Sequence, residues 1–301
     1  MKDIAKIPGR KLGVSLRKEA LAGILFAAPW LVGFLVFTLY PMAASLFYSF
    51  TDFNTFRITN YGLFNYDFAL RSPDVIAGFR NTLYYVAINV PVSTVIGIGY
   101  GWLLTRKTWG QKIYRTIIYL PAVFSIIAAT FLWQFLLDQD GPINNFLDVL
   151  GIAGPAWFKD PSWIKPGLLI MSAWGVGGTI ILYLAAIGNV PAEQYEAAQI
   201  DGAGGFRSFV SITLPNISPI ISYNVLMGFI GGFQYYLPSM MLDTEGSGRG
   251  GLFLGEIIYD NAFRQLQMGF ASAVSWLTMA LIFLVTLIYL KVSDRFVYYS
   301  S

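Results

Sequence analysis

The chain has 301 residues, of which 55% are hydrophobic, 17% aromatic and only 12% charged, and its net charge is +3. Soluble domains carry about 25% charged residues, so most of this chain is solvated by lipid. Cysteine and histidine are both absent, which excludes disulfides, thiol and imidazole catalysis and most zinc and haem sites. No Gly-Lys dipeptide occurs, so there is no Walker A phosphate loop with which to bind ATP.

Residues 1–20 are basic and are followed by an apolar run from Leu21 to Phe47. That run is too long for the apolar region of a cleaved signal peptide, typically about 7–15 residues, and predicts a retained first span. A helix needs about 20 apolar residues to cross roughly 30 Å of hydrocarbon. Six stretches qualify, at about 21–46, 80–104, 114–137, 166–188, 217–242 and 271–291, and none holds an ionisable residue in its interior. The expected fold is therefore an all-α membrane protein of six transmembrane helices.

Basic residues on the connecting segments set the orientation. With the N-terminus inside, 13 of the 20 Lys and Arg and 6 of the 17 acids fall on the inner side, leaving +7 inside against −4 outside. Both termini are then cytoplasmic, as are the segment 189–216 and the tail 293–301. The outer segments 49–78 and 138–165 are rich in aromatics and Asp, and 243–270 opens on a glycine-rich stretch that reads as a flexible loop. On their residues alone these read as solvated connectors.

In span four, Met171, Trp174, Gly175 and Gly178 share one helical face, and in span five Gly228, Gly231, Gly232 and Tyr235 repeat the spacing with Gln234 beside them. Glycines admit a close neighbour, and Trp and Tyr offer flat apolar faces with polar edges, a combination suited to sugar rings. The other reading is helix packing, the commoner role of small-xxx-small stripes. It is the reading taken for Gly97 and Gly101 in span two. No acid or base lies within the bilayer to serve as an ion relay, so the energy for transport is expected from outside the chain.

The most patterned polar stretch is 193–215. Pro191 suits a first helical turn, Glu193 and Glu196 favour the positive end of a helix dipole, and Asp201-Gly202 stops the helix. A second short helix from about Gly205 carries Phe206, Phe209, Val210 and Ile212, and Pro215 is expected to end it. One reading is an amphipathic loop on lipid headgroups. Such helices are usually rich in Lys and Arg, whereas 193–215 has three acids and a single Arg, which points to a protein partner with basic residues.

Glu196-Ala197-Ala198, Gly202, Ile212, Leu214 and Pro215 at their spacing resemble the EAA loop of binding-protein-dependent ABC importer permeases. The Asp201-Gly202-Ala203 context is similar to the carbohydrate-uptake branch that includes maltose and glycerol-phosphate permeases. Phe50–Phe53, Trp174–Gly178, Asn261–Phe263 and Met268–Ala273 agree, so the resemblance spans the chain from about residue 20. It implies a type I importer architecture, with residues 21–292 as the permease domain and 189–216 as its coupling loop. Glu193, Glu196, Ala197, Ala198, Asp201, Gly202, Ile212, Leu214 and Pro215 would then meet an ATPase subunit. Met171, Trp174, Gly175, Gly178, Gly228, Gly231, Gly232, Gln234 and Tyr235 would line the solute path.

The partners so implied are a second homologous permease, two ATPase subunits and an extracytoplasmic solute-binding protein, for which the outer segments 49–78, 138–165 and 243–270 would be the docking surface. The chain itself is expected in a bacterial or archaeal inner membrane. No nucleic acid is expected, and the ATP and magnesium are held by the ATPase subunits rather than by this chain. The solute is a sugar or short oligosaccharide. The competing class is a stand-alone secondary carrier or channel for a small polar solute.

Overall fold

The computed structural model describes residues 12–106, 109–242 and 247–298. Lys2, Lys6, Arg10, Lys11 and Lys107 of the charge asymmetry, Asp243–Gly246 of the third outer segment and the last three residues of the tail lie outside them.

In chain order the helices are α1 (Leu12–Phe34), α2 (Tyr40–Ser49), α3 (Phe64–Arg71), α4 (Pro73–Leu103), α5 (Gln111–Tyr119), α6 (Ile126–Leu136), α7 (Pro142–Val149) and α8 (Ile164–Trp174). They continue with α9 (Gly177–Gly188), α10 (Ala192–Ile200), α11 (Gly205–Ser208), α12 (Leu214–Phe233), α13 (Leu237–Leu242), α14 (Leu254–Tyr259) and α15 (Met268–Ser293). Among the described residues the only β pairing is an isolated bridge between Thr51 and Tyr61.

Among the described residues, four continuous helical stretches are long and apolar enough to cross a membrane: 21–49, 73–103, 205–233 and 268–293. The first is continuous through a π turn at Leu35–Leu39. Two further candidates are bent pairs, α5 with α6 at 103° and α8 with α9 at 46°. Among the described residues there are thus four unbroken helices of spanning length, or six candidate spans when each bent pair counts as one. The third and fourth expected spans correspond to these bent pairs, each interrupted by a break.

The breaks have local causes. Pro121 lacks the N–H that would continue α5; the chain tightens into a 3₁₀ turn at Leu120–Val123 and then extends through Phe124 and Ser125. Gly175-Val176-Gly177-Gly178 weakens the other helix, since each glycine costs about 1 kcal/mol relative to alanine. The two breaks touch: a Cβ on Gly177 would stand 2.6 Å from the Ile118 carbonyl oxygen.

Helix α4 is the central post. Ser72 caps it by accepting from the Val75 N–H, Pro73 occupies its first turn and Asp74 sits at the positive dipole end. It packs most extensively on α9 and then on α12. Against α9, a Cβ on Gly97 would meet the Tyr183 ring at 2.9 Å, and one on Gly101 would meet Tyr183 Cβ at 3.0 Å. These two glycines admit a neighbouring helix, as the packing reading requires.

Two motifs that are distant in sequence meet at one end of the molecule. The Gly269 N–H donates to the Phe53 carbonyl at 2.9 Å, and a Cβ on Gly269 would collide with the Thr51 carbonyl oxygen. Asp52 organises the same loop. Its carboxylate accepts from the Thr59 hydroxyl, the Thr59 and Asn60 N–H groups and the Asn60 amide. These donors, the Thr59 hydroxyl first among them, hold the Asp52 carboxyl well below the usual carboxylate range.

Candidate functional site

The polar segment forms a rigid helix–turn–helix at the end of the molecule where α4 terminates. Helix α10 starts after Pro191 and ends in a Schellman arrangement. The Ala203 N–H donates to the Ala198 carbonyl at 2.8 Å and the Gly202 N–H to the Gln199 carbonyl at 3.0 Å. Gly202 has φ +75°, the left-handed conformation this closure requires. Gly204 then begins α11 in extended backbone.

One expectation about this segment is corrected. Pro215 does not end the second helix; α11 runs through a π turn at Phe209–Thr213 directly into α12. The π turn closes with the Leu214 N–H bonded to the Phe209 carbonyl, five residues back. The wider turn accommodates a proline that has no N–H for the carbonyl four residues before it. The second arm is therefore a rigid extension of the helix at 205–233, not a separate surface piece.

The two arms are tied together. The Tyr195 and Thr213 hydroxyls are hydrogen-bonded at 2.9 Å, and Asn216 Nδ2 donates to Gln194 Oε1 at 2.8 Å. Thr213 is buried. None of these four residues stood out in the sequence, because polar side chains spaced 18 and 22 positions apart carry no periodic signal. Behind the arms lies a cavity of about 460 Å³ lined by Trp102, Arg106, Tyr195, Gln199, Phe209 and Thr213, among others. Phe209 packs on Trp102 at 4.7 Å, and Arg106 lies 4.6 Å over the same indole, so the segment rests on the end of α4.

Glu193, Glu196, Ala197, Asp201 and Gly202 are exposed, Ala198, Ile212, Leu214 and Pro215 are half-buried, and none of the three acids has an ion-pair partner among the described residues. Beside them Ile200 is 88% and Phe206 72% exposed. Unpaired acids flanked by two large bare hydrophobics make a surface built for contact.

The residues read from spans four and five fall into two groups. Trp174 joins Trp133 at 6.1 Å and Phe124 at 5.9 Å, beside the bend that contains Gly175 and Gly178. No neighbouring atom lies within 4 Å of a Cβ built on Gly178. Tyr235 stacks on Tyr85 at 4.3 Å, and the Tyr85 hydroxyl is hydrogen-bonded to Ser172 at 2.6 Å. Met171 is buried. Cβ atoms on Gly228 and Gly232 would meet Val90 at 3.3 Å and Val86 at 2.9 Å, so packing against α4 accounts for both glycines. Gly231 faces open space and Gln234 is exposed. The principal cavities among the described residues are not lined by any of these nine residues.

Apolar helices of spanning length, two bent candidate spans and a braced, exposed helix–turn–helix at one end define a multi-pass membrane protein. Residues 93–298 match the family model of the binding-protein-dependent transport system inner membrane component, and the chain belongs to that family. It is 34% identical over 296 residues to the probable ABC transporter permease protein YesP of Bacillus subtilis, covering 95% of each chain. It is 31% identical to the arabinooligosaccharides transport system permease protein AraP of the same organism, covering 91% of this chain and 89% of AraP. Its identity to the lactose transport system permease protein LacF of Rhizobium radiobacter is 30%, over 86% and 90% of the two chains.

The fold is that of a chain in a bacterial ABC transporter involved in the import of the acidic polysaccharide alginate. The two agree with a TM-score of 0.82 at 23% identity, over 95% of this chain and 99% of that one. The expected likeness to carbohydrate ABC importer permeases therefore stands, and the chain is a permease component rather than an enzyme.

Proposed function

We propose that the chain forms half of the translocation path of an ATP-driven importer for a sugar or short oligosaccharide, working by alternating access. The observation that carries this reading is the segment 192–213, whose three acids and two bare hydrophobics stand on a frame braced at Tyr195–Thr213 and continuous with the helix at 205–233. A force applied to such a segment moves the fifth span as a rigid body.

In this reading Glu193, Glu196, Ala197, Ala198, Asp201, Gly202, Ile212, Leu214 and Pro215 engage one of two separate ATPase subunits, which hold the ATP and magnesium. The segment 189–216, residues 1–20 and the tail 293–301 are cytoplasmic, residues 21–292 form the permease domain, and the complex sits in the inner membrane. A second homologous permease closes the path, which explains why the open positions Gly175, Gly178, Gly231 and Gln234 line no cavity within one chain. Saccharide solutes appear in the names of the relatives AraP and LacF. A solute-binding protein delivers the solute at the opposite face; a related alginate transporter is known in complex with a periplasmic protein bound to an alginate pentasaccharide.

The test is Glu196→Lys in the full transporter. Uptake falls to background while the variant reaches the membrane at the normal level. Full ATP-dependent uptake with an ATPase subunit still co-purifying would overturn the assignment.

A further inference from the structure

At the other end of α4 lies a second cavity, of about 660 Å³, with an apolar floor that includes Ile76, Ala77 and Pro161 and with Arg80, Lys165 and Arg249 around it. Three cations converge there, and among the described residues a single acid pairs with any of them. Arg249 pairs with Asp74 at 2.5 Å. Asp160 stands nearby, but its carboxylate accepts from the Ser162 N–H and does not line the cavity. Lys165 Nζ donates only to uncharged acceptors, Asn81 Oδ1 at 3.3 Å and the Gly250 carbonyl at 3.2 Å. Arg80 has no ion-pair partner among the described residues.

The walls are fixed. Asn81 Nδ2 ties the 249–252 loop to α4 by donating to the Arg249 carbonyl at 2.7 Å and the Leu252 carbonyl at 2.9 Å. Gly250 lies so close to Pro161 that a Cβ would stand 2.5 Å from the Pro161 carbonyl oxygen. The backbone that walls this basic recess is therefore held in place, and Lys165 is held with it.

Its depth identifies its surroundings. From Trp102, at the end of α4 that carries the helix–turn–helix, to Arg80 the helix rises roughly 33 Å, against about 30 Å of hydrocarbon. With Trp102 taken at one boundary of the hydrocarbon, Arg80 falls at headgroup level in the opposite leaflet. From that level an apolar stripe descends along one exposed face of α4: Leu83, Tyr84, Ala87 and Val95 follow Arg80 at helical spacing. A basic recess that opens onto an apolar stripe running into the membrane matches a molecule with an anionic head and a hydrocarbon tail.

We propose that this recess binds an anionic phospholipid, with its phosphate between Arg80 and Lys165 and an acyl chain along the Leu83–Val95 face. The inference rests on the chain spanning a bilayer and not on the coupling segment or the solute, so its failure leaves the import reading intact.

The test uses the purified full chain with phosphatidylglycerol and phosphatidylcholine of identical acyl chains, reading bound lipid by native mass spectrometry and thermal midpoint by intrinsic fluorescence. Phosphatidylglycerol is expected to bind more tightly and to raise the midpoint. Arg80→Gln and Lys165→Gln should each weaken its binding about fivefold, the loss for one surface cation, while Lys112→Gln at the other end leaves it unchanged. Arg80→Gln alone suffices if the Lys165 variant fails to fold, because Arg80 makes no ion pair among the described residues. Equal binding by wild type and variants overturns the proposal. So does an equal effect from soluble glycerol phosphate, which would mark a free-anion site. Variants that keep the lipid preference but lose uptake only when the solute-binding protein is the donor would also overturn it, in favour of protein docking.

Discussion

The Tyr195 hydroxyl and the Thr213 hydroxyl meet at 2.9 Å and join two arms of the chain across the turn at Gly202. Thr213 is buried while Tyr195 is half-exposed, so the bond ties a surface helix to the base of the helix at 205–233. Tyr195→Phe removes it at a cost of about 0.5–1.5 kcal/mol. ATP-driven uptake should fall while membrane level stays normal. A Tyr195→Phe/Thr213→Val double variant should lose less than the sum of the single losses, and strict additivity in uptake and thermal stability would show that the two hydroxyls act separately.

Gly202→Ala tests the turn itself. No atom crowds a Cβ there, so the whole penalty is the left-handed backbone at φ +75°, about 1–2 kcal/mol. Gly204→Ala is the control, since Gly204 has φ −70° and equally open space. Uptake by the Gly202 variant should drop while the Gly204 variant stays near wild type. Equal behaviour of the pair would mean that the turn geometry does not matter.

Gly177 and Gly178 are neighbours with opposite environments. A Cβ on Gly177 meets the Ile118 carbonyl at 2.6 Å, whereas none within 4 Å meets Gly178. Gly177→Ala should destabilise the chain by about 1–3 kcal/mol, visible as a lower thermal midpoint in detergent. Gly178→Ala should be neutral for stability. If Gly178 faces the solute path, Gly178→Trp blocks uptake without lowering the midpoint.

The Asp52 carboxyl is held below its ordinary value of 3.8, chiefly by the Thr59 hydroxyl. A depressed folded-state value means that the stabilisation is complete above the unfolded value, and is lost as pH falls through the folded one. Protection of residues 51–61 from hydrogen exchange should therefore be flat from pH 7 to about pH 5 and should decline only under strongly acidic conditions. Asp52→Asn should lower that protection and flatten its acid dependence. A decline centred near pH 6 in the wild type would assign the control to another group.

The amino-acid sequence by itself determined the class of this protein. Apolar runs of spanning length, the charge asymmetry and the Glu196–Pro215 spacing are local patterns, because membrane solvation and helix stop signals act over a few turns. It also located Gly202 as a turn, because an Asp-Gly pair after a short helix leaves the backbone few alternatives.

Tertiary structure alone decided the rest. Pro215 reads as a stop signal, yet a π turn carries the helix past it. The third and fourth spans read as single apolar runs, yet each breaks in the fold, with Gly177 packed against Ile118. Gly228 and Gly231 look alike in sequence; Val90 crowds one and nothing crowds the other. The brace at Tyr195–Thr213 and the meeting of Phe53 with Gly269 join residues far apart along the chain. Such contacts depend on which faces two helices turn toward each other, a property of their packing that no single helix encodes.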